Sequence, residues 1–329
     1  MDKDKVFRDK RVVAIIAALC CLLWGSAYPA VKSGYTLFSI AASDIPSKIV
    51  FAGYRFTLAG FIVLLAAQIS GKRIFSLSSK DFSRVLILGI TQTTLQYIFF
   101  YIGLANTTGV KGSILNSIGT FFSVILAHYI YHNDKLSKEK IIGSTIGFLG
   151  VMIVNFSIDL LKLSFNFTGD GFIIIAALIF SSAAIYGKKL TKTLDVMIVT
   201  GCSLFLGGIF LMTLGLVSGG RVTHFTLTAS VLLLYMAVLS SVAFSLWSLL
   251  LKYNKVGSVS VYNFLVPIFG AILSAIFLGE NILEIKNLIA LVLVCLGIWL
   301  VNKEPCGLSE EKKEESKREE KEAQAVINK

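Results

Sequence analysis

Five side chains stand out because they interrupt stretches that are otherwise apolar: Arg55, Gln92, Gln96, Asn116 and Asn263. Gln92 and Gln96 are four residues apart, the spacing that puts side chains on one face of a helix. Thr91, Thr93, Thr94, Tyr97 and Tyr101 surround them. Ser113, Asn116, Ser117, Thr120 and Ser123 form a second polar stripe, and Ser260, Asn263 and Ser274 a third. Ser240, Ser241, Ser245, Trp247 and Ser248 form a fourth. Amides, hydroxyls and aromatic rings of this kind hold a small polar or amphipathic ligand by hydrogen bonds and contact. Arg55 adds a planar fork suited to a carboxylate or phosphate. The candidate substrate-binding set is Tyr28, Arg55, Gln92, Gln96, Tyr97, Asn116, Thr120, Ser241, Trp247 and Asn263. Two structural roles compete with this one. Polar pairs between membrane helices contribute about 0.6 kcal/mol each on average, and Arg55 has Asp44 or a backbone carbonyl as alternative partners.

The elements that carry these residues are apolar in the extreme. Hydrophobic residues make up 55% of the 329-residue chain and charged residues only 16%. The stretches 12–31, 85–110, 112–131, 141–158, 196–220 and 256–279 contain no Asp, Glu, Lys or Arg. Uncharged apolar runs of about 18 or more residues read as membrane spans. In lipid the backbone must satisfy itself, so such spans are helices. The sequence predicts helices near 12–31, 46–69, 82–104, 109–131, 139–157, 170–190, 196–218, 227–251, 256–278 and 284–301, joined by short loops.

Charge placement orients them. With the N-terminus in the cytoplasm, 24 of the 31 basic residues fall on the inner side and six on the outer, leaving Arg55 within a span. An even number of spans with both termini inside satisfies the positive-inside rule along the whole chain. The net charge of +11 is therefore topological and does not point to nucleic acid. The expected partners are the lipid bilayer and a small-molecule substrate, for a monomer or homodimer in the cell membrane. The stretch 303–329 is a charged cytoplasmic tail. Cys20, Cys21, Cys202, Cys295 and Cys306 follow no metal-ligand spacing and read as small core residues. There is no P-loop and no nucleophile–base spacing, so neither enzyme activity nor a cofactor is expected. Without a mid-span carboxylate, and with His128 near a helix end, tight proton coupling is disfavoured. Gly143-Ser-Thr-Ile-Gly147 is a small-residue motif for close packing of the fifth helix on the tenth, or for homodimerisation.

A displacement of 147 residues brings Ser113 onto Ser260, Asn116 onto Asn263, Thr120 onto Pro267, Asn133 onto Glu280 and Gly150 onto Gly297. With a longer middle loop, 24–32 falls on 180–188. These correspondences divide the chain into five-helix repeats at 12–157 and 170–301. Five is odd, so the repeats enter the membrane from opposite sides, an arrangement that places a substrate site near the midplane.

The run Trp24-Gly25-Ser26-Ala27-Tyr28-Pro29-Ala30-Val31-Lys32 resembles the end of the first helix of EamA-type members of the drug/metabolite transporter superfamily. Arg55 in Tyr54-Arg55-Phe56 resembles the arginine of their second helix, and Pro267 with Phe277-Leu278-Gly279-Glu280 their ninth-helix signature. The resemblance spans roughly 12–301. In the first half Asn133 and Asp134 stand where the pattern has glutamate, and Thr120 where it has proline. The resemblance implies ten helices, cytoplasmic termini, and export or exchange of amino acids, nucleobases, sugars or drugs. The expectation is an all-α integral membrane protein of ten transmembrane helices in two inverted five-helix repeats. It would be a secondary transporter of small metabolites such as amino acids, alternating access around a midplane cavity. A membrane channel or non-transporting scaffold is the alternative.

Overall fold

The computed structural model describes residues 3–74, 76–107, 109–156, 165–278 and 285–303. Glu280, Cys306 and the charged tail beyond residue 303 lie outside these. Polar caps set where the helices begin. Asp9 opens α1 (Lys10–Leu37), Asp44 opens α2 (Ile45–Ile69) and Ser78 opens α3 (Ser79–Ala105), each accepting first-turn backbone N–H groups. α4 is built from Gly109–Ser117 and Gly119–Ile130. Ser137 caps α5 (Lys138–Val154). Then come α6 (Phe167–Thr191), α7 (Val196–Val217) behind the cap Asp195, and α8 (Leu227–Tyr253) behind Thr226. α9 joins Val256–Ser260, a tight 3-10 stretch Val261–Phe264, and Leu265–Leu278; α10 is Ile285–Asn302. No strand occurs among the described residues.

Eight of these helices are long and apolar enough to cross a membrane; α5 and α10 are shorter. Their outward faces carry Phe61, Ile69, Phe210, Val217 and Trp299, all well exposed. Large apolar side chains on this scale belong in lipid.

Glycine seams bring the helices together. α2 and α7 run antiparallel: Gly53 meets Met212, Thr57 meets Gly208, Gly60 meets Phe205, and Leu64 meets Gly201. A Cβ on Gly60 would lie 2.2 Å from the Phe205 nitrogen, so only glycine permits this approach. α5 and α10 are also antiparallel, with Gly143 against Gly297 and Gly150 against Ala290. The 143–147 small-residue motif thus packs on α10. Around these two pairs, α1 packs on α8 and α9, α6 packs on α3 and α4, α2 also meets α8, and α7 meets α3.

Two helices are interrupted where the polar stripes lie. α4 breaks at Ile118, just after Asn116, and Asn263 sits in the 3-10 stretch of α9. Irregular backbone at membrane depth is tolerated where it borders a cavity or is covered by protein. A third irregularity is the π-helical turn Ile90–Leu95 inside α3.

Candidate functional site

A cavity of about 340 Å³ lies among α1, α2, α3, α4, α6, α8 and α9. α1 contributes Trp24, Tyr28, Val31, Lys32 and Tyr35, a stripe at helical spacing. α3 contributes Gln96, Tyr97, Phe100, Tyr101 and Leu104; α4 contributes Ser113, Asn116, Ser117 and Thr120. Phe180, Phe244, Asn263 and Pro267 complete the principal walls, with Arg55 from α2.

Arg55 is only 4% exposed. Its Nε donates to Ser240 Oγ at 2.8 Å, and that hydroxyl donates to the Met236 carbonyl. The guanidinium carbon lies 5.1 Å from the Phe56 ring centroid, a cation–π distance. Asp44 is spent elsewhere, its carboxylate accepting the Ser47 backbone N–H. The ion pairs among the described residues join Lys72 to Asp195, Arg84 to Asp81, Lys111 to Asp170 and Lys140 to Asp134. None includes Arg55, and among the described residues no acidic one lines the cavity.

The floor is aromatic. The Trp24 ring centroid is 5.0 Å from Trp247, 5.5 Å from Phe244 and 6.5 Å from Phe180, all edge-to-face. Below it, the bundle is shut by buried apolar residues including Cys20, Cys21, Leu250, Tyr262 and Phe264. Polar bridges then cross between helices. Asp134 accepts Lys140 Nζ at 2.5 Å and the Gly257 N–H at 3.0 Å. Lys188 Nζ donates to the Asn254 carbonyl and sits 5.1 Å from the Tyr131 ring centroid. Asn254 in turn donates to the Phe7 carbonyl at 2.8 Å.

Of the ten residues expected at the site, the cavity brings together seven: Tyr28, Arg55, Gln96, Tyr97, Asn116, Thr120 and Asn263. Gln92, Ser241 and Trp247 are not on its wall. Gln92 lies in the π-helical turn, where more residues per turn rotate position i away from position i+4. Ser241 Oγ bonds the Ala59 and Ala237 carbonyls at 2.9 and 2.8 Å, tying α8 to α2. Trp247 is 4% exposed and backs Trp24 from below. Trp24, Tyr35, Phe100, Phe180 and Phe244 are the wall residues that a search for polar stripes passes over; the 24–28–31–35 spacing on α1 was the available signal. Buried Asp170 was also passed over. It receives Thr107 Oγ1 at 2.7 Å, Lys111 Nζ at 2.5 Å and the Asn166 N–H at 2.9 Å.

The sequence model of the EamA-like transporter family matches residues 11–156 and again 167–303. An uncharacterized transporter of Archaeoglobus fulgidus is 28% identical over 81% of this chain and 89% of its own. A probable terminal-alkyne amino-acid exporter of Streptantibioticus cattleyicolor is 22% identical over 91% of this chain and 95% of its own. A solved crystal structure superposes with a TM-score of 0.72 over 89% of this chain and 97% of that one, at 14% identity. That likeness is one of fold.

Proposed function

This chain belongs to the EamA-like transporter family, and on that premise we propose that it carries small carboxylate-bearing metabolites, amino acids foremost, by alternating access around the cavity. It is a multi-span membrane transporter and not an enzyme. The observation that carries the substrate reading is Arg55: a buried cation on the cavity wall, one hydrogen bond to Ser240, and no carboxylate partner among the described residues. Burying a charge is costly unless it is paired. A substrate carboxylate entering the cavity supplies the missing anion, with bidentate geometry available to the guanidinium. The cavity volume suits one amino-acid-sized solute, and the aromatic walls suit an apolar side chain. The relative named as an amino-acid exporter agrees with that class.

In this reading all ten helices cross the cell membrane, as two inverted halves with both termini cytoplasmic. Three features support it. The family model matches twice. Exchanging the halves turns the α1–α8 and α1–α9 pairings into α6–α3 and α6–α4, which also occur. The pairs α2/α7 and α5/α10, each equivalent to its partner under that exchange, run antiparallel, as inversion requires. α5 and α10 each reach roughly 25 Å at 1.5 Å per residue, close to the hydrocarbon thickness of about 30 Å.

The bridges at Asp134 and Lys188 then close the cytoplasmic end, and the Lys32–Tyr35–Leu104 end faces outward. Rocking of the halves would break the former and bring the latter together, delivering substrate as an exporter or exchanger. A cavity shut at one end favours this over an open channel. The test is flux into proteoliposomes of labelled amino acids against their carboxamides. Preference for the free acids, reduced roughly 10–100-fold by Arg55→Gln as expected for a charge-assisted hydrogen bond, supports the reading. Equal handling of acids and amides, or an Arg55→Gln protein that keeps the preference, overturns it.

A further inference from the structure

A second hollow lies away from the chamber. A groove of about 720 Å³ runs between α2 and α3, with α7 as its floor. Phe61, Leu65 and Phe82 on its walls are exposed, so it opens on the surface that faces lipid. Helix packing makes it. α2 meets α3 along Gln96–Ala105, where the Phe56 and Tyr97 ring centroids are 4.5 Å apart. Towards the 70–78 connection the two helices part, and each leans on α7 instead. Gly60 and Leu64 of α2 lie against Phe205 and Gly201, and Gly89 of α3 lies against Ser203 and Gly207.

The groove has a direction. Phe61, Leu65 and Phe205 line its deep part, whereas Gln68, Ser79 and Ser83 line the end at the connection. Gln68 and Phe61 are roughly 10 Å apart along α2, at 1.5 Å per residue. Charge follows the same direction. Lys72, Arg73, Lys80 and Arg84 flank the polar end. Asp195 pairs with Lys72, and Asp81 with Arg84. Arg73 and Lys80 are exposed, and neither has an acidic partner among the described residues.

An apolar depth, a polar mouth and two uncommitted cations complement a negatively charged amphiphile. The setting supplies one. Exposed apolar surface on a chain that spans a membrane is covered by lipid, and basic clusters at a membrane surface attract anionic headgroups. Walls on three sides hold a single acyl chain where a smooth helix face would not. A second copy of this chain would lay an apolar helix here and leave Arg73 and Lys80 without counter-charge.

We propose that this groove binds one anionic glycerophospholipid, with an acyl chain against Phe61, Leu65 and Phe205 and the headgroup phosphate at Arg73 and Lys80. The groove shares no lining residue with the chamber, so the proposal stands or falls apart from the substrate reading. It requires only that the 70–78 connection lie at a membrane surface, on whichever side.

The experiment is native mass spectrometry of the full chain, released from detergent micelles after titration with dioleoylphosphatidylglycerol or dioleoylphosphatidylcholine. Each cation near a membrane surface contributes roughly fivefold in affinity. The wild type is therefore expected to retain one phosphatidylglycerol, at least roughly tenfold more tightly than phosphatidylcholine. Arg73→Gln with Lys80→Gln should abolish that preference. Arg8→Gln with Lys189→Gln removes two exposed cations elsewhere and should keep it. Leu65→Trp fills the groove and should prevent retention of either lipid; its melting in detergent shows whether it has folded, and if it has not, the two charge variants decide. Equal retention of the two lipids by the wild type, or equal loss of preference in both charge variants, would overturn the proposal. So would a folded Leu65→Trp protein that still holds one phosphatidylglycerol, or a lipid-free dimer of the wild type that Leu65→Trp splits.

Discussion

The two ends of the cavity use the same kinds of side chain in opposite ways. At the closed end, charge is matched within the protein: Asp134 holds Lys140 and the Gly257 N–H, and Lys188 is seated on the Asn254 carbonyl beside Tyr131. In the chamber, Arg55 has a single side-chain bond and Gln96 Oε1 has none. Both regions hold polar groups out of water. The difference is whether the bonding capacity of a buried group is used up within the fold. A buried polar residue in a helix bundle is thus not in itself a site; the census of its bonds decides.

The sharpest way to break this contrast is to compare the two buried cations. Asp134→Ala strands Lys140, and loss of one partner of a buried ion pair costs about 3–5 kcal/mol. Thermal unfolding in detergent should show a large drop for Asp134→Ala and little change for Arg55→Gln. Equal drops would make Arg55 a structural residue like Lys140. A smaller effect is expected at Lys188. Lys188→Gln weakens the tie to the Asn254 carbonyl, so backbone amides of 254–260 should exchange with deuterated solvent roughly tenfold faster. Amides near Leu104 should not respond, and a uniform acceleration along the chain would deny Lys188 a local closing role.

The smallest effect concerns an exposed pair. Asp195 caps α7 and meets Lys72 at 2.5 Å, with both side chains about one-third exposed. Burial opposes its ionisation, but the Lys72 bond and charge and the Met197 and Ile198 amides outweigh that and hold its pKa below the usual aspartate value. Its contribution is therefore present above the ordinary pKa of about 3.9 and is lost as pH falls through the lower folded value. For a solvent-screened pair the magnitude is under about 1 kcal/mol. Melting followed from pH 5 to pH 3 should fall slightly more steeply for the wild type than for Asp195→Asn. A loss as large as that of Asp134→Ala would erase the distinction between exposed and buried pairs.

Much of the chamber was legible before any coordinates. Asn116 and Asn263 are paired by the 147-residue displacement; Asn116 lies two residues before the break in α4, Asn263 lies in the 3-10 stretch of α9, and both border the cavity. Gln92 and Gln96 looked equivalent, because a regular helix places them together. The π-helical turn separates them, and it depends on how α3 meets α7, where Gly207 lies against the Gly89 carbonyl and Thr94 bonds the Gly207 carbonyl at 2.9 Å. Arg55 announced itself as a charge within a span. Its partner, Ser240, lies 185 residues away, a distance no local pattern reaches.

Apolar runs, capping residues and the distribution of lysines and arginines are properties of neighbouring residues, so helix positions and the membrane setting were determined by sequence alone. Which polar atoms are left without a partner is a property of pairs brought together from distant helices. The vacant bonding capacity of Arg55 and Gln96 was therefore decided by tertiary packing, because satisfaction of a buried group depends on every element that surrounds it.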